Sequence, residues 1–333
     1  MHYSGRMMNK TDCREISKGD LSQWDELVWQ SPHGTIFHKT AWLNACADYY
    51  GKTPKIFGCF RDDVLVGGCS LLIGKKWGVV SYAESNSGFT PYGGFVISTL
   101  PTSSVHKQET YSKQIIDSLI DCIKREHYIS VVIWNSPEFH DIRPFIARGW
   151  RSQIQYTYDF DLGVNIASHI DTRLKKTLRR AEKEQYTFES SSDITKFYSL
   201  LCETYARKNL KPAASKRFIT DVCLFIRDQN CGEMVVAKTQ SDEIACVEIV
   251  IWDNRKAYRW AAASDSRFLD SGAPSLLLFT ILKRLQDRSI SKINLMGANT
   301  LQLSRFIARF NPILVPFYKV QSGIFDNILS FKK

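Results

Sequence analysis

Phe145-Ile-Ala-Arg148 returns as Phe306-Ile-Ala-Arg309, 161 positions later. The flanks return in the same order: ISVVIW (129–134) and ISKINL (290–295) precede the two tetrapeptides, while QYTYDFDL (155–162) and PFYKVQSG (316–323) follow them. A shared strand, helix and strand in one register marks an internal repeat. The expected organisation is a polar tail over 1–17, a first copy over 18–163, a second over 164–323 and a C-terminal tail over 324–333. At that spacing Phe145 and Phe306 occupy equivalent buried positions.

Upstream, each copy opens with two helical segments, read from the spacing of apolar residues at 20–30 and 38–50 in the first and at 193–209 and 215–230 in the second. A hairpin follows each pair. It turns at Arg61-Asp62-Asp63 in one copy and at Ser241-Asp242-Glu243 in the other. A third strand comes next, GVVSYA (78–83) or KAYRWAAAS (256–264), then a loop and an amphipathic helix over 108–127 or 275–288, the second entered through Pro274. The order in each copy is therefore helix, helix, three strands, helix, strand, helix, strand, an α/β chain with mixed sheets.

The chain of 333 residues is 44% hydrophobic, enough for two ordinary cores. No signal-like segment opens it and its longest apolar run, 276–282, is too short to span a bilayer, so the expected location is the cytoplasm. Nine cysteines without a CxxC pair point to reduced core thiols rather than disulfides or a metal site. The formal net charge of +10 favours an anionic partner. Its densest cluster lies at 173–183, where Leu174, Leu178 and Ala181 share one helical face and leave Arg173, Lys176, Arg180 and Lys183 on the other. That outer face is either a phosphate-binding surface or a solvated linker helix.

The order of elements, together with TPYGG (90–94), RLKKTLRRAEKEQ (173–185), FYSLLCETYARKNL (197–210) and NLMGANTLQLSRFIARF (294–310), resembles tandem GNAT-fold acyltransferases of the Fem type. These are aminoacyltransferases of peptidoglycan bridges, with relatives in polysaccharide pathways. The Phe-Lys and Phe-Gly pairs usual near the end of that family read Phe306-Ile307 and Phe310-Asn311 here. The resemblance implies two GNAT-like domains and acylation of an amine on an envelope or polysaccharide precursor. It also implies no tightly bound cofactor, acyl-coenzyme A or aminoacyl-tRNA as donor, and an anionic, lipid-linked or nucleotide-linked sugar acceptor. Transfer RNA and peripheral membrane contact are the further partners expected. In such enzymes a glycine-rich loop at a helix start holds the donor pyrophosphate. The matching segment runs from Arg267 to Pro274 and includes Gly272, with Asp270 where a glycine is usual. The resemblance also places acceptor-phosphate contacts at Arg207 and Lys208.

Direct acyl transfer needs a proton acceptor, a polarised carbonyl and aligned substrates, but no covalent nucleophile. All seven histidines lie at or before His169, which leaves the second copy only that one at its very start and argues against a histidine triad or histidine metal site of its own. Glu248, inside the apolar strand IACVEIVIW, is the candidate base; the alternative is a carboxylate paired with a nearby arginine. Its counterpart in the first copy, aligned by the hairpin turns, is Gly68. Asp265, Arg267 and Asn299 follow strands and are expected at the cleft. Tyr318 is a candidate proton donor to the leaving group, and Arg305 with Arg309 a candidate phosphate grip. Arg148 at the repeat of Arg309 favours instead a structural role common to both copies. A catalytically silent protein with the same fold is the remaining alternative.

Overall fold

The computed structural model describes residues 11–86, 88–207 and 209–323. Two compact units emerge, one comprising the chain up to Ile154 plus the segment from Phe317 onward, the other comprising Gln155 to Pro316. The chain runs through β1 (Asp12–Glu15), α1 (Leu21–Gln30), α2 (Thr40–Tyr50), β2 (Thr53–Arg61), β3 (Val64–Lys76), β4 (Val80–Glu84), β5 (Gly94–Ile97), α3 (Val105–Lys124), β6 (Ser130–Trp134), α4 (Arg143–Ala147) and β7 (Arg151–Asp161). It continues through α5 (Ile166–His169), α6 (Thr172–Glu182), β8 (Thr187–Ser190), α7 (Ile194–Ala206), α8 (Lys216–Asp228), β9 (Gly232–Lys238), β10 (Ile244–Trp252), β11 (Ala257–Ser264), α9 (Ala273–Asp287), β12 (Lys292–Asn294), α10 (Leu301–Ala308) and β13 (Ile313–Gly323).

In the first unit β1 to β4 form antiparallel neighbours, β5 adds to β3, and β4 runs parallel to β6. The strand beside β6 is β13, from Lys319 opposite Trp134 to Gly323 opposite Ser130. In the second unit β8 to β11 are antiparallel neighbours and β11 runs parallel to β12. The strand beside β12 is β7, with Asp159 opposite Asn294. Each copy thus gives its last strand to the other. The units divide at 154/155 and 316/317, not at 163/164, because backbone pairing rather than sequence order assigns those two strands.

The pairing also fixes the repeat at 162 positions rather than 161. Val131 in β6 pairs in parallel with Ala83, as Ile293 in β12 pairs with Ala257. The helix ends agree: Gly149 and Asn311 are the positive-φ residues that stop α4 and α10 (φ 79° and 57°). The residue equivalent to fully buried Phe145 is therefore Ile307, also fully buried, whereas Phe306 is half-buried. The tetrapeptide that reveals the repeat sits one residue out of structural register.

Packing follows the amphipathic pattern. Ile115, Ile116, Leu119 and Ile123 of α3 lie in the first core with Phe57, Cys69, Phe95 and Phe145. Leu277, Leu278, Ile281, Leu282 and Leu285 of α9 lie in the second with Val235, Val250, Ile293 and Ile307. At about 1.5–3 kcal/mol for each fully buried side chain, these rows fix the helices to the sheets. Six of the nine cysteines are buried and all nine are free thiols. No helix among the described residues is long and apolar enough to cross a membrane.

Candidate active site

In the second unit β11 and β12 stay together only at Ala257/Ile293 and Tyr258/Asn294. Beyond that point β12 ends, and consecutive left-handed residues Met296 (φ 56°) and Gly297 (φ 69°) turn the chain away. A Cβ on Gly297 would lie 2.3 Å from the end of the Leu303 side chain, so a larger residue would have to displace that leucine as well as adopt the left-handed φ. The buried amide of Asn294 holds the turn: its Oδ1 accepts from Met296 N (3.1 Å) and Thr157 Oγ1 (2.8 Å), and its Nδ2 donates to Asp159 (2.6 Å). β11 runs on alone on this side from Arg259 to Ser264, bulged at Trp260, opposite Ile249 and Val250.

Arg259 is the first residue past the parting. Its Nε donates to Glu248 Oε2 (2.8 Å) and its Nη2 to Oε1 (2.5 Å). Both side chains are buried, and the guanidinium stacks 5.5 Å from the Phe306 ring. Of the two expected roles, the geometry is that of the arginine-paired carboxylate, with both Glu248 oxygens engaged by one guanidinium.

The first unit differs at the matching positions. Strand register makes Cys69, not Gly68, the counterpart of Glu248, and Ser85 the counterpart of Arg259. Ser85 sews its two strands together. Its N–H donates to Val132 O (3.0 Å), its Oγ accepts from Trp134 N (2.7 Å), and Gly93 N reaches Trp134 O (2.9 Å). The charge pair stands only where the strands part.

Asp265 and Arg267 lie at the far end of β11, about 20 Å along the strand from Arg259 at ~3.3 Å per residue. They do not join it. Arg267 grips Asp265 (Nη2 to Oδ2, 2.8 Å) and reaches Glu243 (3.1 Å), beside an open hollow of 370 Å³ edged by Lys196, Lys238 and Asp242. The guanidinium holds the Asp265 carboxyl below its usual range, and Asp265 with Glu243 pushes Arg267 up. Arg207 bends back to Ser264 O (3.2 Å) and Thr204 (3.1 Å). Lys208 lies outside the described residues, as do 1–10 and 324–333 of the two tails.

Strand exchange removes Tyr318 from this unit, since it lies beyond Pro316 and its carbonyl accepts from Asn135 N in the first unit (3.1 Å). The tyrosine 162 positions earlier, Tyr156, takes its place in β7. Asn299 pins that strand with both ends of its amide: Oδ1 accepts from Tyr156 N (3.0 Å) and Nδ2 donates to Tyr156 O (2.8 Å). Asn299 therefore fastens backbone. Arg305 on α10 and Arg309 at its C-cap are exposed. Arg148 instead bonds Asp117 (2.8 Å) and Asp121 on α3, so the two arginines have no common structural role. The residue in Arg148's structural place is buried Phe310.

Gly272, the N-cap of α9 at φ 89°, is covered by α6. A Cβ there would sit 3.0 Å from both Thr177 and Ala181, and Arg180 Nη2 donates to Asp270 O (2.5 Å). Ala273 N, at the helix start, bonds Ser271 Oγ (3.1 Å). The basic helix α6 thus packs against the glycine and the loop that precede α9. Leu174, Leu178 and Ala181 of α6 are buried, and Arg173, Lys176, Arg179 and Lys183 are exposed. The sequence offered Arg259 only as an isolated charge in KAYRWAAAS, and it gave no sign of the Asn294 turn or of Tyr156.

Residues 168–306 match the family described as acetyltransferase (GNAT) domain. A sequence search of curated proteins found no match. Among solved structures the fold is similar to FemX (TM-score 0.71, 13% identity, covering 92% of this chain and 96% of that one). It is also similar to L-PGS from Bacillus licheniformis (TM-score 0.59, 13% identity, 95% of each chain). A third likeness is to a tandem GNAT protein from the clavulanic acid biosynthesis pathway (TM-score 0.56, 9% identity, 94% and 98%). Two copies of one α/β unit, a parallel pair that parts midway and these likenesses together make this chain a tandem GNAT-fold protein, with the match to the acetyltransferase (GNAT) domain family lying over residues 168–306 of its second half.

Proposed function

We propose that the second unit transfers an activated acyl group to an amine where β11 and β12 part, and that the acceptor is an amine on a cell-envelope or polysaccharide precursor. The observation that carries this reading is the buried Arg259–Glu248 pair at the parting, set against the hydrogen-bonded seam at Ser85 in the other copy. A guanidinium fixed by its carboxylate is a preorganised positive group, suited to a carbonyl oxygen that gains charge as the amine attacks. Glu248 then positions Arg259. Because Glu248 and Asp265 are each held by arginine, the acceptor ammonium gives its proton to solvent before attack. Tyr156 is the candidate donor of a proton to the leaving group.

The covered start of α9 favours a second choice of donor. With α6 seated on Gly272 and Asp270, the loop expected for coenzyme A is covered on that side, while the exposed bases of α6 present a surface for the phosphates of an aminoacyl-tRNA. Titrating the purified protein with acetyl-coenzyme A, an aminoacyl-tRNA and nucleotide sugars, with thermal unfolding as readout, separates the donors. A ligand at a hundred times its Kd stabilises by about 2.7 kcal/mol. Saturable stabilisation by the aminoacyl-tRNA alone supports the second donor, and by acetyl-coenzyme A alone the first. No response to any, with no acyl transfer, leaves a silent fold.

A further inference from the structure

The hairpin joining β3 to β4 ends in Trp77-Gly78-Val79, and the two apolar residues of this tip are 69% and 81% exposed. Lys76 faces Val80 across the last paired position, so three residues close the turn, and Val79 N donates to Lys76 O (3.3 Å). Trp77 has φ 52° and Gly78 φ 76°. A left-handed conformation is uncommon for a bulky side chain, and here it holds an indole outward at the end of a short, paired hairpin. Gly or Asn is what such a turn ordinarily selects. At 69% exposure, a tryptophan at that position presents a large apolar surface to whatever meets the tip.

The surroundings specify the partner. Lys75 is exposed, and Lys76 carries its ammonium 4.9 Å from the Trp77 ring. About 10 Å behind the tip, at ~3.3 Å per residue, the Tyr82 ring lies against Gly74. Lys52, itself paired with Glu84, stands between the Tyr82 and Tyr50 rings at 5.7 and 5.5 Å. Tyr50 packs on Tyr49 with ring centroids 4.5 Å apart. An indole and a valine leading, lysines beside them and tyrosines one headgroup depth behind match the layering of a lipid interface. The chain's charge of +10 adds long-range attraction to an anionic leaflet.

We infer that the Trp77–Val79 hairpin tip is an interfacial anchor, through which the first unit docks reversibly on an anionic phospholipid surface. It does not depend on the acyl-transfer reading, because the tip belongs to the other unit. A tip of two apolar residues gives weak, reversible attachment, with the lysines supplying the preference for negative lipid.

The test is co-sedimentation of the full chain with phosphatidylcholine vesicles made with and without phosphatidylglycerol, alongside binding of a single-stranded RNA oligonucleotide. Wild type is expected on the phosphatidylglycerol vesicles. The variant Trp77→Ser/Val79→Ser should lose roughly tenfold in partition coefficient. Lys75→Glu/Lys76→Glu should lose roughly fivefold or more for each lysine, on the anionic vesicles only. Trp77, Val79 and Lys75 are exposed and Lys76 is half-buried, and unchanged thermal unfolding confirms that both variants fold. Wild type remaining in the supernatant, or tip variants that bind vesicles as well as wild type does, overturns the inference. So does a loss confined to RNA, which would make the tip a base-stacking site.

Discussion

Glu248 and Arg259 join neighbouring strands of the second unit through two hydrogen bonds, of 2.8 and 2.5 Å, with both side chains buried. Breaking such a pair from one side leaves a buried charge alone. Glu248→Gln should therefore cost about 3–5 kcal/mol of stability, whereas Glu248→Met with Arg259→Leu should recover most of it. Denaturant unfolding of the double-mutant cycle measures this. Activity should stay low in the double variant despite its restored stability. Recovery of turnover with stability would show that the pair serves packing alone.

Acid stability should carry a signature of Asp265. Its carboxyl is held below the usual range by Arg267, so its contribution is present above the unfolded value of about 3.9 and is lost as pH falls through the lower folded value. The stability difference between wild type and Asp265→Asn should be constant from neutrality to about pH 5 and shrink at lower pH. Unfolding curves across that range provide the check. A difference that grows on acidification contradicts the ion pair.

Gly272→Ala is expected to destabilise by about 1 kcal/mol or more, since φ 89° disfavours a Cβ and Thr177 and Ala181 stand at 3.0 Å. If α6 moves aside to admit a donor, the same substitution should also weaken donor binding. Unfolding and ligand titration of one protein separate the two effects.

Reversing Arg173 and Lys176 on α6 should change stability by less than about 0.5 kcal/mol. It should weaken a polyanionic donor and flatten the salt dependence of its binding, because fewer counterions are released. Affinities measured over a series of salt concentrations decide it. Equal slopes for wild type and variant would make the helix a solvated face.

Much of the fold was legible in the sequence, because strand and helix periodicities survive divergence. The caps of α7 and α8, Asp193 and Ser215, fall at the residues that open the expected segments. Register was not legible. Counted between positions of equal register, the β9–β10 hairpin carries one residue more than the β2–β3 hairpin, which moved the counterpart of Glu248 from Gly68 to Cys69. The frame of α4 and α10 is set by where Gly149 and Asn311 stop them, so matching letters one residue away misled. The site suffered most. Arg259 owes its importance to the place where two strands separate, and Tyr318 lost its place to Tyr156 through a pairing between segments more than a hundred residues apart.

Exchange of the last strands has a consequence for biosynthesis. The second unit, from Gln155 to Pro316, is continuous in the chain, but the sheet of the first is incomplete until Lys319 to Gly323 arrive beside β6. The copy translated first is therefore the one finished last. Its β6 edge must wait through the making of the whole other unit, with the slow closure that distant pairing brings. During synthesis the N-terminal copy behaves as a client in need of shielding, while the C-terminal copy folds as soon as it emerges. Nascent chains arrested after Pro316 should accordingly yield a protease-resistant second unit and a sensitive first one, and equal resistance of both would show that the borrowed strand is dispensable.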